Sequence, residues 1–168
     1  MKIGVISDTH IPDKSERIPQ EILDAFKRVD LVVHAGDLVD LKVIDELNSV
    51  CAKIVAVAGN MDHGEIKIKY PVKEFLNLEG FKIGIMHGWG APLTLTEVLK
   101  DAFKADKPDV IIFGHSHKPM NEQIDGILFF NPGSATDAVA QYCSYGVIEI
   151  KNGKIDAKII KINLTYTK

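Results

Sequence analysis

Short apolar runs alternate along this chain with stretches that are apolar on one face only. Ile3 to Ile6, apolar apart from Gly4, read as a strand buried on both faces, and Leu31-Val32-Val33 and Ile54-Val55-Ala56-Val57 read the same way. Between the first two, Pro19 suits a first helical turn and Ile18, Ile22, Leu23 and Phe26 supply one apolar face, which ends near Arg28. Between the second and third, Asp40 can cap a helix whose inner face is Val43, Ile44 and Leu47. Strand, helix, strand, helix, strand with short loops predicts right-handed crossovers and a mainly parallel sheet.

The second half has a different texture. Glu74 to Leu78 and Phe81 to Met86 predict a hairpin turning at Glu79-Gly80. Thr94-Leu95-Thr96-Glu97 fits a capping box, with Val98, Leu99, Ala102 and Phe103 as the buried face of the adjoining helix. Val110 to Phe113 reads as another buried strand. Gln123-Ile124 and Ile127 to Phe130 predict a hairpin around Asp125-Gly126, and Tyr145 to Ile150 should pair with Lys154 to Ile162 across Asn152-Gly153. The expected architecture is a two-sheet core, one sheet mixed and one more antiparallel, with helices outside both. Repeats, linkers and low-complexity tracts are absent, so residues 1–168 read as one domain, long enough to bury its own core.

Composition narrows the function classes. A chain 46% hydrophobic and 26% charged describes a soluble globular protein, and a net charge of −3 argues against a partner such as a long nucleic acid. Its 20 basic residues include only two arginines, Arg17 and Arg28, so any guanidinium clamp on a phosphate would come from one of them, Arg17 being nearer the first loop. Cys51 and Cys143 suggest no disulfide framework and read as reduced thiols of a cytoplasmic protein. The segment from Met1 turns polar at Ser7-Asp8, too soon for a signal peptide, and no apolar run reaches membrane-spanning length.

The polar residues at the end of each apolar run carry the chemistry. The strands of a parallel sheet present their carboxyl ends at one edge, where ligands bind. Asp8 and His10 come after the first strand, Asp37 after the second, Asn60 after the third, His87 after the hairpin, and His115 and His117 after the run Val110 to Gly114. Taken singly, each has an ordinary explanation: Asp8 as a loop carboxylate, Asn60 as a turn former, His87 as a satisfied histidine. Five strands ending alike make those explanations hard to sustain together. Four imidazoles, two carboxylates and an amide, without a thiolate, suit divalent Mn, Fe, Ni, Co or Zn. Seven ligands are too many for one tetrahedral ion and about right for two that share a carboxylate.

The series Asp8-x-His10, Gly36-Asp37, Gly59-Asn60, His87 and Gly114-His115-x-His117 resembles the calcineurin-like metallophosphoesterase superfamily. The chain's size and its Asn131-Pro132-Gly133-Ser134 turn resemble the small prokaryotic phosphodiesterase branch. That resemblance implies an α/β fold, a four-layer α/β/β/α sandwich of two mixed sheets flanked by helices, and a binuclear site. It implies one metal held by Asp8, His10 and His117, the other by Asn60, His87 and His115, and Asp37 bridging them, with manganese or nickel favoured. Two such ions neutralise phosphoryl oxygens and lower the pKa of a bridging water toward ~7, giving a hydroxide aimed at phosphorus.

Many members of the superfamily place a histidine directly after the Gly-Asn, where it can help protonate the leaving oxygen or bind phosphate; here Met61 has no proton to give. Asp62, the next residue, is expected to orient His10 or another ligand. His63 reads as an exposed turn residue or as a substitute acid, which joins it to Asp37, Asn60 and Asp62 as a candidate catalytic residue. His34 reads as structural. Trp89, Pro92 and the Met61 region are candidate cleft walls. The expected activity is a phosphodiesterase on a small phosphoester. The alternatives are a phosphomonoesterase, a protein phosphatase, for which no peptide groove is evident, and a scaffold like the eukaryotic retromer subunit that resembles this branch. Exposed apolar surface on the second sheet leaves room for a homo-oligomer.

Overall fold

The computed structural model describes residues 1–137 and 142–162. In the first sheet β1 (Lys2–Ile6), β2 (Leu31–His34) and β3 (Ile54–Ala56) run parallel, joined through α1 (Gln20–Phe26) and α2 (Lys42–Asn48). The second sheet contains β4 (Lys73–Leu78), β5 (Phe81–Met86), β6 (Val110–Ile112), β7 (Met120–Ile124) and β8 (Ile127–Asn131), in the order β4-β5-β6-β8-β7. The last hairpin, β9 (Cys143–Lys151) and β10 (Lys154–Ile162), returns to the first sheet and completes the order β10-β9-β1-β2-β3.

Both sheets are equally mixed, which corrects the expectation that the second is more antiparallel. Each has two parallel and two antiparallel pairings. The difference lies in β7, which takes the outer edge so that β8 inserts beside β6 and pairs with it in parallel.

Alternation along the strands sorts the side chains into three apolar layers. Ile3, Val5, Val33, Ile83, Ile85, Ile112 and Phe130 fill the space between the sheets. On the outer face of the first sheet Ile6 and Val32 meet Ile22 and Phe26 of α1 and Val43 and Leu47 of α2. Beyond the second sheet, Met86, Ile111 and Phe129 pack on Leu95 and Leu99 of α4 (Leu95–Ala102) and on Phe103. The result is the α/β/β/α order. None of its helices, among the described residues, is long and apolar enough to cross a membrane.

The helix starts differ from expectation in part. The capping box does not form: a 3-10 turn over Pro92–Thr94 precedes α4, and the Thr94 hydroxyl donates back to the Ala91 carbonyl at 3.2 Å. Asp40 does accept from a first-turn amide of α2, the Lys42 N–H at 2.8 Å, with Leu41 standing between them at the helix boundary and making no side-chain bond. A further helix, α3 (Glu65–Lys69), carries only Ile66 as a buried residue, too little periodicity to be read from sequence.

Each sheet accepts a phenylalanine ring where a strand lacks a side chain. A Cβ on Gly84 would stand 2.5 Å from the Phe103 ring, and one on Gly4 2.6 Å from Phe26. We predict that Gly84→Ala destabilises the protein by about 1–3 kcal/mol through overpacking. Adding Phe103→Leu should recover part of that loss, and additive effects in urea denaturation would refute the steric account.

Candidate metal centre

Every candidate ligand lies a few residues beyond the carboxyl end of a strand, and the loops that carry them are bent into an unusual backbone region. Asp8, His10, Asp37, His115 and His117 all have left-handed φ, between 41° and 70°, and Val39 reaches 73°. Asp and His tolerate this region better than most residues, but each instance still costs about 1–3 kcal/mol. Surrounding hydrogen bonds hold it in place.

The buried Asp62 carboxylate accepts from the backbone N–H groups of Asp37 (3.0 Å), Val39 (2.7 Å) and Gly59 (2.7 Å). It therefore positions the Asp37 and Asn60 loops through their backbones and makes no bond to His10, one of the roles expected of it. His34, fully buried, accepts from the Gly36 N–H at Nδ1 (3.2 Å), which leaves Nε2–H to donate to the Thr9 hydroxyl (3.1 Å). From the far side, Ser134 donates to the Asp8 carbonyl (2.7 Å), Thr136 to the Thr9 carbonyl (2.7 Å), and the Asn131 amide to the Gly114 carbonyl (2.8 Å). Two of the glycines that precede ligands are required by space: a Cβ on Gly59 would overlap the Asp37 carboxylate, and one on Gly114 the Ser7 hydroxyl.

The ligand atoms converge. Asp8, His10 and His117 form one group within 4.8 Å, and Asp8, Asp37 and His87 form a second. Both carboxylates lie between the two groups. Asp37 Oδ2 is 3.6 Å from His10 Nε2 and 3.2 Å from His87 Nε2, and Asp8 Oδ1 is 3.4 Å from His117 Nε2 and 3.8 Å from His87 Nε2. The Nε2 atoms of His10 and His117 stand 3.1 Å apart. Beside the second group, His115 Nδ1 is 2.9 Å from Asn60 Oδ1, and its Nε2 is 2.9 Å from the Gly90 carbonyl. A neutral ring can donate to only one of these acceptors, so the other nitrogen is left for a different partner.

A cation fits this donor set. Asp8 Oδ2, His87 Nε2 and His117 Nδ1 are buried without an aligned hydrogen-bond partner, a costly state that coordination would relieve for the first two. The His87 Nδ1–H donates to the Ala35 carbonyl at 2.8 Å and so turns Nε2 toward the carboxylates. His117 Nδ1 has a carboxylate nearby, Asp137 Oδ2 at 3.4 Å, which Lys14 also approaches at 3.1 Å.

Without an ion, the carboxylate charge is offset only in part, through His87. Burial alone would drive the proton from His87, yet Asp37 and Asp8 outweigh it and raise the group to about 9. Asp37 is held below the usual carboxylate range: burial opposes this, but the close approach and charge of His87 prevail. Asp8 moves upward because its complete burial exceeds the pull of His87 and His117. Burial and then the His87 charge push His34 down to about 3, so it stays neutral.

His63 is exposed and outside the cluster, its carbonyl accepting from the Ile66 N–H at the start of α3. Arg17 is exposed. Sequence reasoning does not reach Thr136 and Asp137, which lie just beyond the Asn131–Ser134 turn with no spacing that marks them. Thr9, between two ligands, is the more legible omission.

Fold and donor set together define an α/β/β/α protein with a candidate nitrogen–oxygen metal centre at the mouth of its two sheets. Residues 1–153 match the calcineurin-like phosphoesterase superfamily domain, and the chain belongs to that family, which uses divalent metals. It is 38% identical over 161 residues to a probable metallophosphoesterase of Methanothermobacter thermautotrophicus, covering 96% of this chain and 92% of the relative. To a phosphodiesterase of Methanocaldococcus jannaschii it is 32% identical over 160 residues, 89% of this chain and 93% of that one. The crystal structure of Vps29 from Entamoeba histolytica complexed with zinc superposes with a TM-score of 0.75 at 28% identity, covering 97% of this chain and all of that one.

Charge and loop anchoring both have measurable consequences. His87 binds its proton more tightly folded than unfolded, so its contribution is complete below the unfolded pKa near 6.5 and is lost as pH rises toward about 9. His34 is the reverse: it must charge on unfolding, so stability falls as pH drops from about 6.5 toward 3. Urea denaturation of metal-stripped protein should show each limb sloping by up to about 1.4 kcal/mol per pH unit. His87→Gln should flatten the alkaline limb and His34→Asn the acid one; unchanged slopes would refute the assignment. Asp62→Asn should weaken metal uptake by roughly 10–100-fold, measured by calorimetry, because the loop of Asp37 loses its anchor.

Proposed function

We propose that this chain is a binuclear metal-dependent phosphodiesterase acting on small phosphodiesters. The observation that carries the reading is the pair of three-atom donor groups, joined through Asp8 and Asp37 at the carboxyl edge of both sheets. Asp8, His10 and His117 would hold one divalent ion and Asn60, His87 and His115 the other, with Asp37 between them. Bound ions of this kind supply positive charge for phosphoryl oxygens and a water acidic enough to ionise near neutrality.

The chain's own residues divide the remaining work. Asp8 and Asp37 make the site anionic, so a phosphoester has reason to enter only once cations are in place. Asp62 and the Ala35 carbonyl keep Asp37 and His87 aimed at one point. The Met61 N–H donates to Asp37 Oδ1 at 2.8 Å and fixes that carboxylate's rotation. The Met61 side chain has no proton to give to a leaving oxygen, which favours ester groups that depart as stable anions, such as aryl oxides. His63, at the head of α3, is the candidate substitute acid for poorer leaving groups. The likeness to Vps29 supports a second reading, a scaffold that keeps its donors without turnover.

Hydrolysis of chromogenic esters by stripped protein refilled with Mn, Ni, Mg or Zn decides between them. We expect Mn or Ni to give the highest rates and bis(p-nitrophenyl) phosphate to exceed p-nitrophenyl phosphate. Asp37→Asn should cost more than the roughly 10–100-fold typical of a residue that only supports a ligand. Metal uptake without turnover of either ester would sink the enzyme and leave the scaffold.

A further inference from the structure

Six large apolar side chains are exposed among the described residues: Met1, Met61, Ile68, Val72, Trp89 and Leu93. All but Met1 fall in two segments, 61–72 and 89–93, that flank the candidate metal centre. Between these segments lies a cavity of about 430 Å³, lined in part by Lys67, Val72, Met86 and Trp89. Asn60 and His87 line it as well, so the cavity borders two of the candidate donors. Its volume lies within the roughly 300–1,000 Å³ usual for small-molecule sites.

We propose that this cavity is a subsite for a planar aromatic group, aryl or nucleobase, joined through oxygen to the phosphate that the donor groups engage. The inference rests on the phosphodiesterase reading and adds the substrate class. Trp89, 50% exposed, lines the cavity with an aromatic side chain whose apolar area remains wet until something covers it. Val72, 64% exposed, supplies a branched apolar surface in the same cavity. An extended alkyl chain would use the apolar wall but not the ring face, whereas a planar ring uses both. Lys67 adds a cation beside the apolar wall, suited to a ring bearing an acceptor oxygen or nitrogen. A concavity that shares two walls with the donor cluster fits a small ligand better than a protein partner, which would need far more surface.

Trp89 is the only tryptophan of the chain, so its emission reports occupancy directly. Metal-loaded protein is titrated with phenylphosphonate, AMP and methylphosphonate, with affinities checked by calorimetry. The aromatic probes should shift Trp89 emission saturably, and the tighter of them should bind about 5- to 100-fold better than methylphosphonate, the range expected for one stacked ring. Which of the two it is separates an aryl from a nucleobase ligand. Trp89→Ala should bring both aromatic probes to the level of methylphosphonate without altering methylphosphonate binding, and Trp89→Phe should restore most of the difference. Equal affinity for all three probes, or a loss in Trp89→Ala shared by methylphosphonate, would overturn the subsite. Turnover of bis(p-nitrophenyl) phosphate alongside either result removes the subsite and keeps the enzyme. Selective binding of aromatic probes without turnover of any ester removes the enzyme and keeps a ligand site.

Discussion

The Asp62 carboxylate, buried with three backbone amides fixed upon it, is the interaction on which the candidate centre depends. Loops that end parallel strands can take many shapes, and a metal site tolerates few of them. Here the chain selects one shape by forcing Asp37 and Val39 into the left-handed region, unfavourable for aspartate and more so for a β-branched valine. Charge-assisted bonds from the Asp37, Val39 and Gly59 amides offset that strain and tie the loop after β2 to the loop after β3. The neutral His34 ring makes a second tie, from the Gly36 amide to Thr9, between the loops after β2 and β1.

Those ties act within one sheet, yet the donors come from two. His87 belongs to the end of β5 and His115 and His117 to the loop after β6, while Asp8, His10, Asp37 and Asn60 belong to the first sheet. Distances between imidazole and carboxylate therefore depend on how far apart the sheets stand. The layer of Ile3, Val5, Val33, Ile83, Ile85, Ile112 and Phe130 sets that spacing. At the mouth, the end of β8 and the segment after it close the gap: Asn131 reaches the Gly114 carbonyl while Ser134 and Thr136 reach those of Asp8 and Thr9. A single stretch thus bonds to the first and the last of the ligand loops. Its Asn-Pro-Gly-Ser motif makes sense as a clasp rather than as a plain turn.

The parts of this arrangement that rest on short-range rules were legible. Apolar runs gave nine of the ten strands close to their observed places, and even the short β7 was anticipated at its Ile124 end. The donors could be collected because parallel strands share an edge, a topological fact that needs no distances. What escaped was set by tertiary geometry. The parallel pairing of β6 with β8 skips a strand in sequence. The failure of the Thr94 cap comes from a 3-10 turn that Pro92 initiates just before α4. Asp62 bonds backbone amides because the loop curls around it, and no residue spacing distinguishes that from a bond to His10. Asp137 lies twenty residues beyond His117 and meets it only through the clasp.

The balance of charge ties these features to metal uptake. Two buried carboxylates, Asp8 and Asp37, both approach His87 Nε2, and a proton on that ring offsets part of their charge. That proton occupies the nitrogen a cation would need, since Nδ1 is committed to the Ala35 carbonyl. Coordination at His87 would therefore exchange a proton for a divalent ion, and the carboxylates that raise the proton's affinity are the groups that would attract the ion. Neutral His34, pressed against this cluster by its bonds to Thr9 and Gly36, adds no competing charge. Burial and strain make the loops costly to fold around two carboxylates of like charge, and a proton held on His87 offsets part of that cost.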